Sequence, residues 1–487
     1  FMKKIPPPAL WLGLGVLGGC ASNQSLDELP PMPAAEPSVD DVNLANGMDE
    51  PIPLESTPNE PNQNNDLWER LRKGYGLDLT VENDRIRVQR DWYARHPQYF
   101  TRVTTRSERY LHYIIEQAEA RNMPLELALL PIVESAFDPF AYSHGRAAGP
   151  WQFIPSTGDY FGMKRTWWED QRRDILKSTN AALDYLQKLS NRFDGDWLLA
   201  LASYNAGGGT VSRAIRRNEE AGRPTDFWHL DLPRETTAYV PKLLAIAQIV
   251  KAPETYGVTL HPIQNEAYFS TVETGGQIDL TQAARLADIS VEELYLLNPS
   301  FNRWATSPDG PHRLLVPVDR EERFRTGLAE LPEGQRMQWA RYEIRPGDNL
   351  GAIARKHRTT PQVLRSINKL NGNTIIAGRT LLIPGPSSGK GDYSLSEEAR
   401  LAANQSRERK GRQRVNYTVQ SGDTLWEISR RYDVGVKELA KWNNMAPGDR
   451  LRIGQSLAVW SESSQGGTVT PSKDDKMVRK LRYAVRS

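Results

Sequence analysis

The stretch Leu127–Pro139, LALLPIVESAFDP, sets a single carboxylate, Glu134, at the end of an apolar run. A solvated helix face does not read Leu-Leu-Pro-Ile-Val before its acid and Ala-Phe after it. A carboxyl group buried among such side chains loses the hydration of its charged form, so its pKa rises and it holds a proton near neutral pH. Such a group is a general acid. A carboxylate paired with an arginine or capping a helix is the commoner outcome for position alone. The rest of the chain decides between the two.

Helical periodicity surrounds this stretch. It begins around Leu67 and is clear in SERYLHYIIEQAEARNMP, Ser107–Pro124, where Tyr110, Ile114, Ile115 and Ala118 share one face and Asn122 and Pro124 close the helix. NAALDYLQKLSNRF, DWLLALASYNAGGGTVSRAIRR and TTAYVPKLLAIAQIV continue the pattern to about Tyr256, with Gly clusters as breaks. The expectation is a mainly α domain over 68–258.

Beyond Thr259 repeats appear. Tyr342, Gly347, Asp348, Leu350, Ile353 and Asn368 recur about 75 residues later as Tyr417, Gly422, Asp423, Leu425, Ile428 and Asn443. Each unit reads as a strand, a Gly-Asp turn, two short helices and a closing strand. Thr424 with Glu427 forms a capping box, and Thr360-Pro361 is an N-cap followed by an N1 proline. These units, 340–386 and 415–461, resemble LysM modules, βααβ domains that bind glycans containing N-acetylglucosamine. A degenerate copy is expected over 262–320, where Leu280, Leu294 and Asn298 keep the spacing, Ser290 and Glu293 suggest another capping box, and Gln277-Ile278 replaces Gly-Asp. The segments 387–414 and 462–487 read as linkers. The second ends in YAVRS, Tyr483–Ser487, which matches YTVQS at Tyr417–Ser421, so the chain is expected to stop inside a further module.

The N-terminus reads as an export signal over 1–19: Lys3 and Lys4, an apolar run Ala9–Leu17, then Leu17-Gly18-Gly19-Cys20. Phe1 ahead of Met2 is read as extraneous. The last four of those residues resemble the lipobox of bacterial lipoproteins, which implies lipidation of Cys20, the sole cysteine. Ala21 stands where an inner-membrane retention signal has Asp, so the resemblance implies the periplasmic face of a Gram-negative outer membrane. The tether that follows, 20–67, carries no Lys or Arg and is rich in Pro, Asn, Asp and Glu, too polar to fold alone.

Four separated pieces resemble the soluble-lytic-transglycosylase domain, the lytic transglycosylase branch of the lysozyme superfamily. They are Glu134-Ser135, Gly149-Pro150-Trp151-Gln152-Phe153, Ser203-Tyr204-Asn205-Ala206-Gly207, and Glu235-Thr236 with Tyr239-Val240, in order over about 110 residues. Pro150 departs from the pattern, where an aliphatic residue is usual; proline stiffens the loop carrying Gln152. The resemblance implies a lysozyme-like catalytic domain followed by LysM modules, acting on peptidoglycan glycan strands. It implies that Glu134 protonates the oxygen between N-acetylmuramic acid and N-acetylglucosamine, then as base activates the C6 hydroxyl, which closes on C1 to a 1,6-anhydro sugar. A hydrolase generally needs two carboxylates; this reaction manages with one. Tyr204 is expected to hold the Glu134 carboxyl, Asn205 to shape the glycan loop, and Ser135 and Gln152 to contact the acetamido group or the carboxyl. Glu235 and Tyr239 open the last helix, Tyr239 as a substrate-binding residue and Glu235 equally as a structural one. Trp151, Phe153, Trp167, Trp168 and Trp197 stack on sugars or pack the core.

Two other readings compete. A goose-type lysozyme would hydrolyse the same bond with Asp138, Asp159 or Asp170 as second carboxylate; a cell-wall-binding lipoprotein would keep the fold without the chemistry. Little else is supported. A formal charge of +2 and the lack of a basic stripe argue against nucleic acid. His144 has no second His or Cys at ligand spacing, and Gly207–Gly209 lacks the Lys-Ser/Thr of a phosphate loop, so neither metal nor cofactor is expected. Oligomerisation is not expected either.

Overall fold

The computed structural model describes residues 65–357 and 359–462. The expected export signal, Cys20, most of the expected tether and the Tyr483–Ser487 match to Tyr417–Ser421 lie outside these residues. Among the described residues no helix is long and apolar enough to cross a membrane.

The first helices form where caps and apolar spacing agree. Asp66 caps α1 (Leu67–Lys73), which buries Leu67, Trp68 and Leu71. Asn83 caps α2 (Asp84–Ala94), and a proline opens α3 (Pro97–Ser107). In α4 (Leu111–Glu119) Ile114, Ile115 and Ala118 are buried, with Tyr110 just ahead of it; Asn122 then turns left-handed at φ 53° and ends the run. A 3-10 turn, Leu125–Leu129, leads into α5 (Leu130–Ser135). The remaining helices are α6 (Pro155–Tyr160), α7 (Ile175–Arg192), α8 (Trp197–Ala206), α9 (Gly208–Glu220) and α10 (Arg234–Lys251). Helix α8 is apolar nearly all round and buries Leu199–Ala206, the signature of a central helix. Its neighbours α5, α7 and α10 share its hydrophobic core.

Three small modules follow, each an antiparallel strand pair enclosing two helices. The first is β1 (Phe269–Glu273), α11 (Leu280–Ala287), α12 (Val291–Leu297) and β2 (Arg313–Pro317), with α13 (Glu321–Glu330) appended. The second is β3 (Gln338–Glu343), α14 (Leu350–Lys356), α15 (Pro361–Ile367) and β4 (Thr380–Gly385). After α16 (Glu397–Ser406) comes the third: β5 (Arg412–Thr418), α17 (Leu425–Arg431), α18 (Val436–Trp442) and β6 (Ser456–Glu462). The mainly α domain followed by βααβ modules is the architecture the sequence led us to expect.

The recurring residues have physical jobs. Gly347 and Gly422 take φ of 90° and 94°, open to glycine and strained for others. The next residue closes the turn: Asp423 Oδ2 accepts from Gln420 N and Tyr417 Oη, both at 2.7 Å, and Asp348 does the same for Arg345 and Tyr342 at 2.8 Å. The recurring asparagine clamps helix to strand. Asn443 donates to the carbonyls of Leu439 and Ala458 and accepts from Ala458 N; Asn368 and Asn298 repeat all three bonds.

The first module is wedged into the helical domain. Arg109 pairs with Glu293 at 2.6 Å, Arg313 with Asp174 at 2.9 Å, and Tyr110 Oη donates to Leu296 O at 2.7 Å. This corrects one expectation. Ser290 Oγ accepts from Glu293 N, but the Glu293 carboxylate is drawn to Arg109 and Tyr268 and does not complete a capping box. The 387–414 segment, expected as linker, holds α16, whose Arg400 lies over the Phe140 ring at 4.3 Å and whose Asn404 and Gln405 bond the third module. That module also touches the helical domain directly, through Arg146 and Asp449 at 2.6 Å.

The clamp gives a prediction. Asn443→Ala strips two carbonyls and one N–H of their buried partner, which destabilises the third module by about 2 kcal/mol. Urea denaturation of the full chain should show a lower midpoint for that module at unchanged slope.

Candidate active site

Glu134 sits on the last turn of α5 and is wholly buried. The helix ends abruptly after it. Ala136 and Phe137 both adopt left-handed backbone, at φ 51° and 54°, and give their N–H groups to Ile132 O and Pro131 O. Two non-glycine residues in that region cost about 1–3 kcal/mol each, and such strain persists only where packing over-determines it. Phe137, fully buried, supplies that packing.

The loop of the second motif is pinned from all sides. Ser135 Oγ donates to Pro150 O at 3.0 Å, Tyr204 Oη to Trp151 O at 3.0 Å, and Trp151 Nε1 to Thr179 Oγ1 at 3.0 Å. Gln152, left-handed at φ 49°, donates through Nε2 to Gly149 O at 2.8 Å. Gly149 needs its own φ of 83°, and a Cβ there would lie 2.3 Å from Arg172 O. Beneath the loop a buried pair, Arg172–Asp170 at 2.6 Å, sends its remaining donor to Phe153 O and Arg146 O.

The carboxyl itself is held from α10. Tyr239 Oη donates to Glu134 Oε1, while Oε2 is buried with no protein partner among the described residues. Burial pushes the Glu134 pKa up to about 8; the Tyr239 hydrogen bond opposes this, Glu235 adds to it, and Lys242 opposes it weakly. Glu235, Tyr239 and Lys242 lie four and three residues apart, on one face of α10. Asn205 Oδ1 accepts from Thr236 Oγ1 at 2.7 Å, which locks the first turn of α10 to the end of α8. At neutral pH Glu134 is therefore a protonated acid with one oxygen held and one unengaged.

The site brings together all four motifs but reassigns several roles. Tyr204 was expected to hold Glu134; it bonds the Trp151 carbonyl, and Tyr239 does the holding, because α10 and not α8 faces the carboxyl oxygen. Ser135 and Gln152 were expected to face substrate or carboxyl; their donors are spent on backbone carbonyls, since a loop this strained leaves those carbonyls without helical or sheet partners. Trp151, Phe153 and Trp168 are buried core, while Trp167 and Trp197 are half-buried. The three aspartates considered as a second carboxylate are engaged elsewhere: Asp138 caps Phe140 N, Asp159 pairs with Arg165, and Asp170 pairs with Arg172. The acid whose charge does act on Glu134 is Glu235. Thr236 stood in the fourth motif without an assigned role and proves to lock the frame, while Thr179, which also locks it, carries no sequence signal of its own. Among the described residues no group of three or more His, Cys, Asp or Glu is placed to hold a metal ion.

The raised pKa has a stability consequence. The carboxyl moves from 4.5 to about 8 on folding, so the folded protein keeps a proton that the unfolded chain releases between those values. The contribution is full below pH 4.5 and is lost as pH rises toward 8. In Glu134→Gln the amide oxygen still accepts from Tyr239 and nothing ionises. Chemical denaturation at about pH 5 and about pH 8 should show the variant gaining on the parent protein as pH rises.

Several stretches of the chain match known families. Residues 112–227 match the Transglycosylase SLT domain, 268–333 the Lytic transglycosylase MltD, LysM-like domain, and 342–384 and 417–460 the LysM domain. Among relatives, the membrane-bound lytic murein transglycosylase D of Escherichia coli (strain K12) is 38% identical over 403 residues, covering 80% of this chain and 85% of that protein. An autolysin of Enterococcus faecalis is 32% identical over 118 residues, 24% of this chain and 14% of that one. A solved structure of an inactive variant of the lytic transglycosylase Slt from Pseudomonas aeruginosa aligns over 30% of this chain and 24% of that one at 23% identity, with a TM-score of 0.23, too low to carry weight. On the coverage and identity of the Escherichia coli relative, this chain belongs to the family of membrane-bound lytic murein transglycosylase D.

Proposed function

We propose that the protein cleaves the β-1,4 bond between N-acetylmuramic acid and N-acetylglucosamine in peptidoglycan without water, leaving 1,6-anhydro-muramic ends. The observation that carries this is Glu134: buried, neutral at pH 7, held on one oxygen by Tyr239, and without a second carboxylate in the places a hydrolase reading named.

Glu134 gives its Oε2 proton to the glycosidic oxygen as the bond to C1 breaks. The 2-acetamido group of the muramic residue shares the positive charge at C1. Glu134 is then ionised, and the Tyr239 hydroxyl, now donating to an anion, holds it more strongly. The same carboxylate takes the proton from the C6 hydroxyl, whose oxygen closes on C1. A pKa near the working pH lets one group serve as acid and then as base. Burial contributes a second way. A dry site disfavours attack by water, and a hydroxyl already on the sugar needs no further encounter.

The roles of the remaining parts follow from the family and the fold. Ser135, Gln152, Tyr204 and Asn205 keep the loop beside the scissile bond in one shape, and Tyr239 tunes the acid. The LysM modules bind the glycan strands and raise the local substrate concentration, an avidity effect on an insoluble polymer. Lipidated Cys20 anchors the chain to the outer membrane, and the tether gives it reach into the periplasm. The chain needs no partner copy to complete the site.

Mass spectrometry of sugars released from purified peptidoglycan by a soluble form beginning after Cys20 tests the reaction. Anhydro-muramic products are expected, and Glu134→Gln should reduce their release by at least about a thousandfold while wall binding is kept. Reducing ends would move the reading to hydrolysis, with Glu235 as the carboxylate that activates water. The phenol of Tyr239 gives a further test. Its hydrogen bond lowers the Glu134 pKa, so Tyr239→Phe should shift the alkaline limb of kcat/KM to higher pH.

A further inference from the structure

A groove of about 560 Å³, which the reaction above does not use, leads along the chain into the catalytic helix α10. One wall is the exposed face of α9, with Thr210, Arg213, Arg217 and Glu220 at spacings of three and four and Arg216 flanking them; the other is Asp231, Leu232 and Pro233. Those last residues run directly into the first turn of α10, which bears Glu235, whose charge acts on Glu134. At its other end α9 starts at Gly208, where the Ser203–Gly207 motif finishes. The groove is thus continuous along the chain with the catalytic frame at both ends.

Its arginines differ from those that tie the fold together, Arg109 with Glu293, Arg172 with Asp170 and Arg313 with Asp174. In the groove Arg213 bonds only the Thr210 hydroxyl, at 3.2 Å, and Arg217 only the Asp231 backbone carbonyl, at 3.1 Å. None of Arg213, Arg216 and Arg217 pairs with a carboxylate among the described residues. Glu220 and Asp231 offset part of the charge and leave the groove net positive.

We propose that this groove receives the peptide stem carried by the muramic residue and reads its carboxylates. The inference rests on the peptidoglycan reading above and extends it to substrate selection. Bare glycan is a chain of neutral N-acetyl sugars apart from its muramic carboxyls, and those are masked as amides wherever a stem is attached. The three guanidinium groups of this groove therefore have nothing to pair with on the sugars. A stem of several residues brings carboxylates of its own, and Arg213 to Glu220 covers about 10 Å of helix, enough to meet more than one of them. Guanidinium pairs carboxylates through two parallel hydrogen bonds, which fixes orientation as well as strength. Glu220 and Asp231 provide acceptors for an ammonium group on the same stem.

The test compares stem-bearing strands with the same strands after an amidase has removed the stems. For Arg213→Gln/Arg216→Gln in the full chain, the ratio of kcat/KM on stem-bearing to bare strands should fall about tenfold, mostly through KM. Arg213→Lys/Arg216→Lys should restore part of it. Both positions are exposed, and circular dichroism checks the fold; if the double variant misfolds, each single variant should lower the ratio about threefold. An unchanged ratio, or equal loss on both substrates, overturns the proposal. Fluorescence anisotropy with a labelled, soluble stem peptide separates it from the catalytic reading. Arginine-dependent binding by a protein that releases no anhydro products would overturn that reading and keep the groove. Anhydro products together with no peptide binding would do the reverse.

Discussion

The chemistry of the helical domain rests on one desolvated carboxyl group, that of Glu134. Removing Glu134 from water makes its charged form costly, and the group stays neutral, with one hydrogen bond from Tyr239, a weaker influence from the Lys242 charge, and no salt bridge among the described residues. A salt bridge at the same place would give an ionised, inert acid. The left-handed pair Ala136-Phe137 that ends α5 and the pinned loop around Gln152 hold that environment in shape. Backbone strain gathers at Ala136, Phe137 and Gln152, around that desolvated group.

The modules are built on a different economy. Each has a small core of its own and relies on backbone-directed hydrogen bonds: the aspartate that closes the first turn and the asparagine that ties the second helix to the closing strand. The first module keeps the asparagine and loses the Gly-Asp turn. Its Asp279 caps α11 and accepts from Tyr393 Oη at 2.9 Å and Ser387 N at 3.1 Å, so the segment following the second module folds back on it. With Arg109 and Arg313 tying it to the helical domain, this module serves as a bracket between catalysis and glycan binding.

Much of this was legible in the sequence, for stateable reasons. Glu134 announces itself because an acid inside an apolar run is followed, in order, by three further motifs. The modules announce themselves because a left-handed glycine and a triply bonded asparagine tolerate few replacements, so the same letters return at the same spacing. Partner choice was not legible. Tyr204 and Tyr239 sit in adjacent motifs on neighbouring helices, and only the rotation of α8 and α10 about their axes decides which hydroxyl meets the carboxyl. Trp151 and Trp168 have the composition of sugar platforms and the burial of core. Arg213, Arg216 and Arg217 read as a solvated helix face until the Asp231–Pro233 segment is seen across from them.

The central claim is that Glu134 is a neutral acid at physiological pH. Isotope-edited infrared spectroscopy, with glutamate labelled and Glu134→Gln subtracted, follows its carboxyl band directly through a pH titration. The account predicts a protonated carboxyl at neutral pH that ionises with a midpoint near 8. A midpoint near 4.5 would mean that the group is an ordinary carboxylate, and a single residue could not then act as acid and as base in turn.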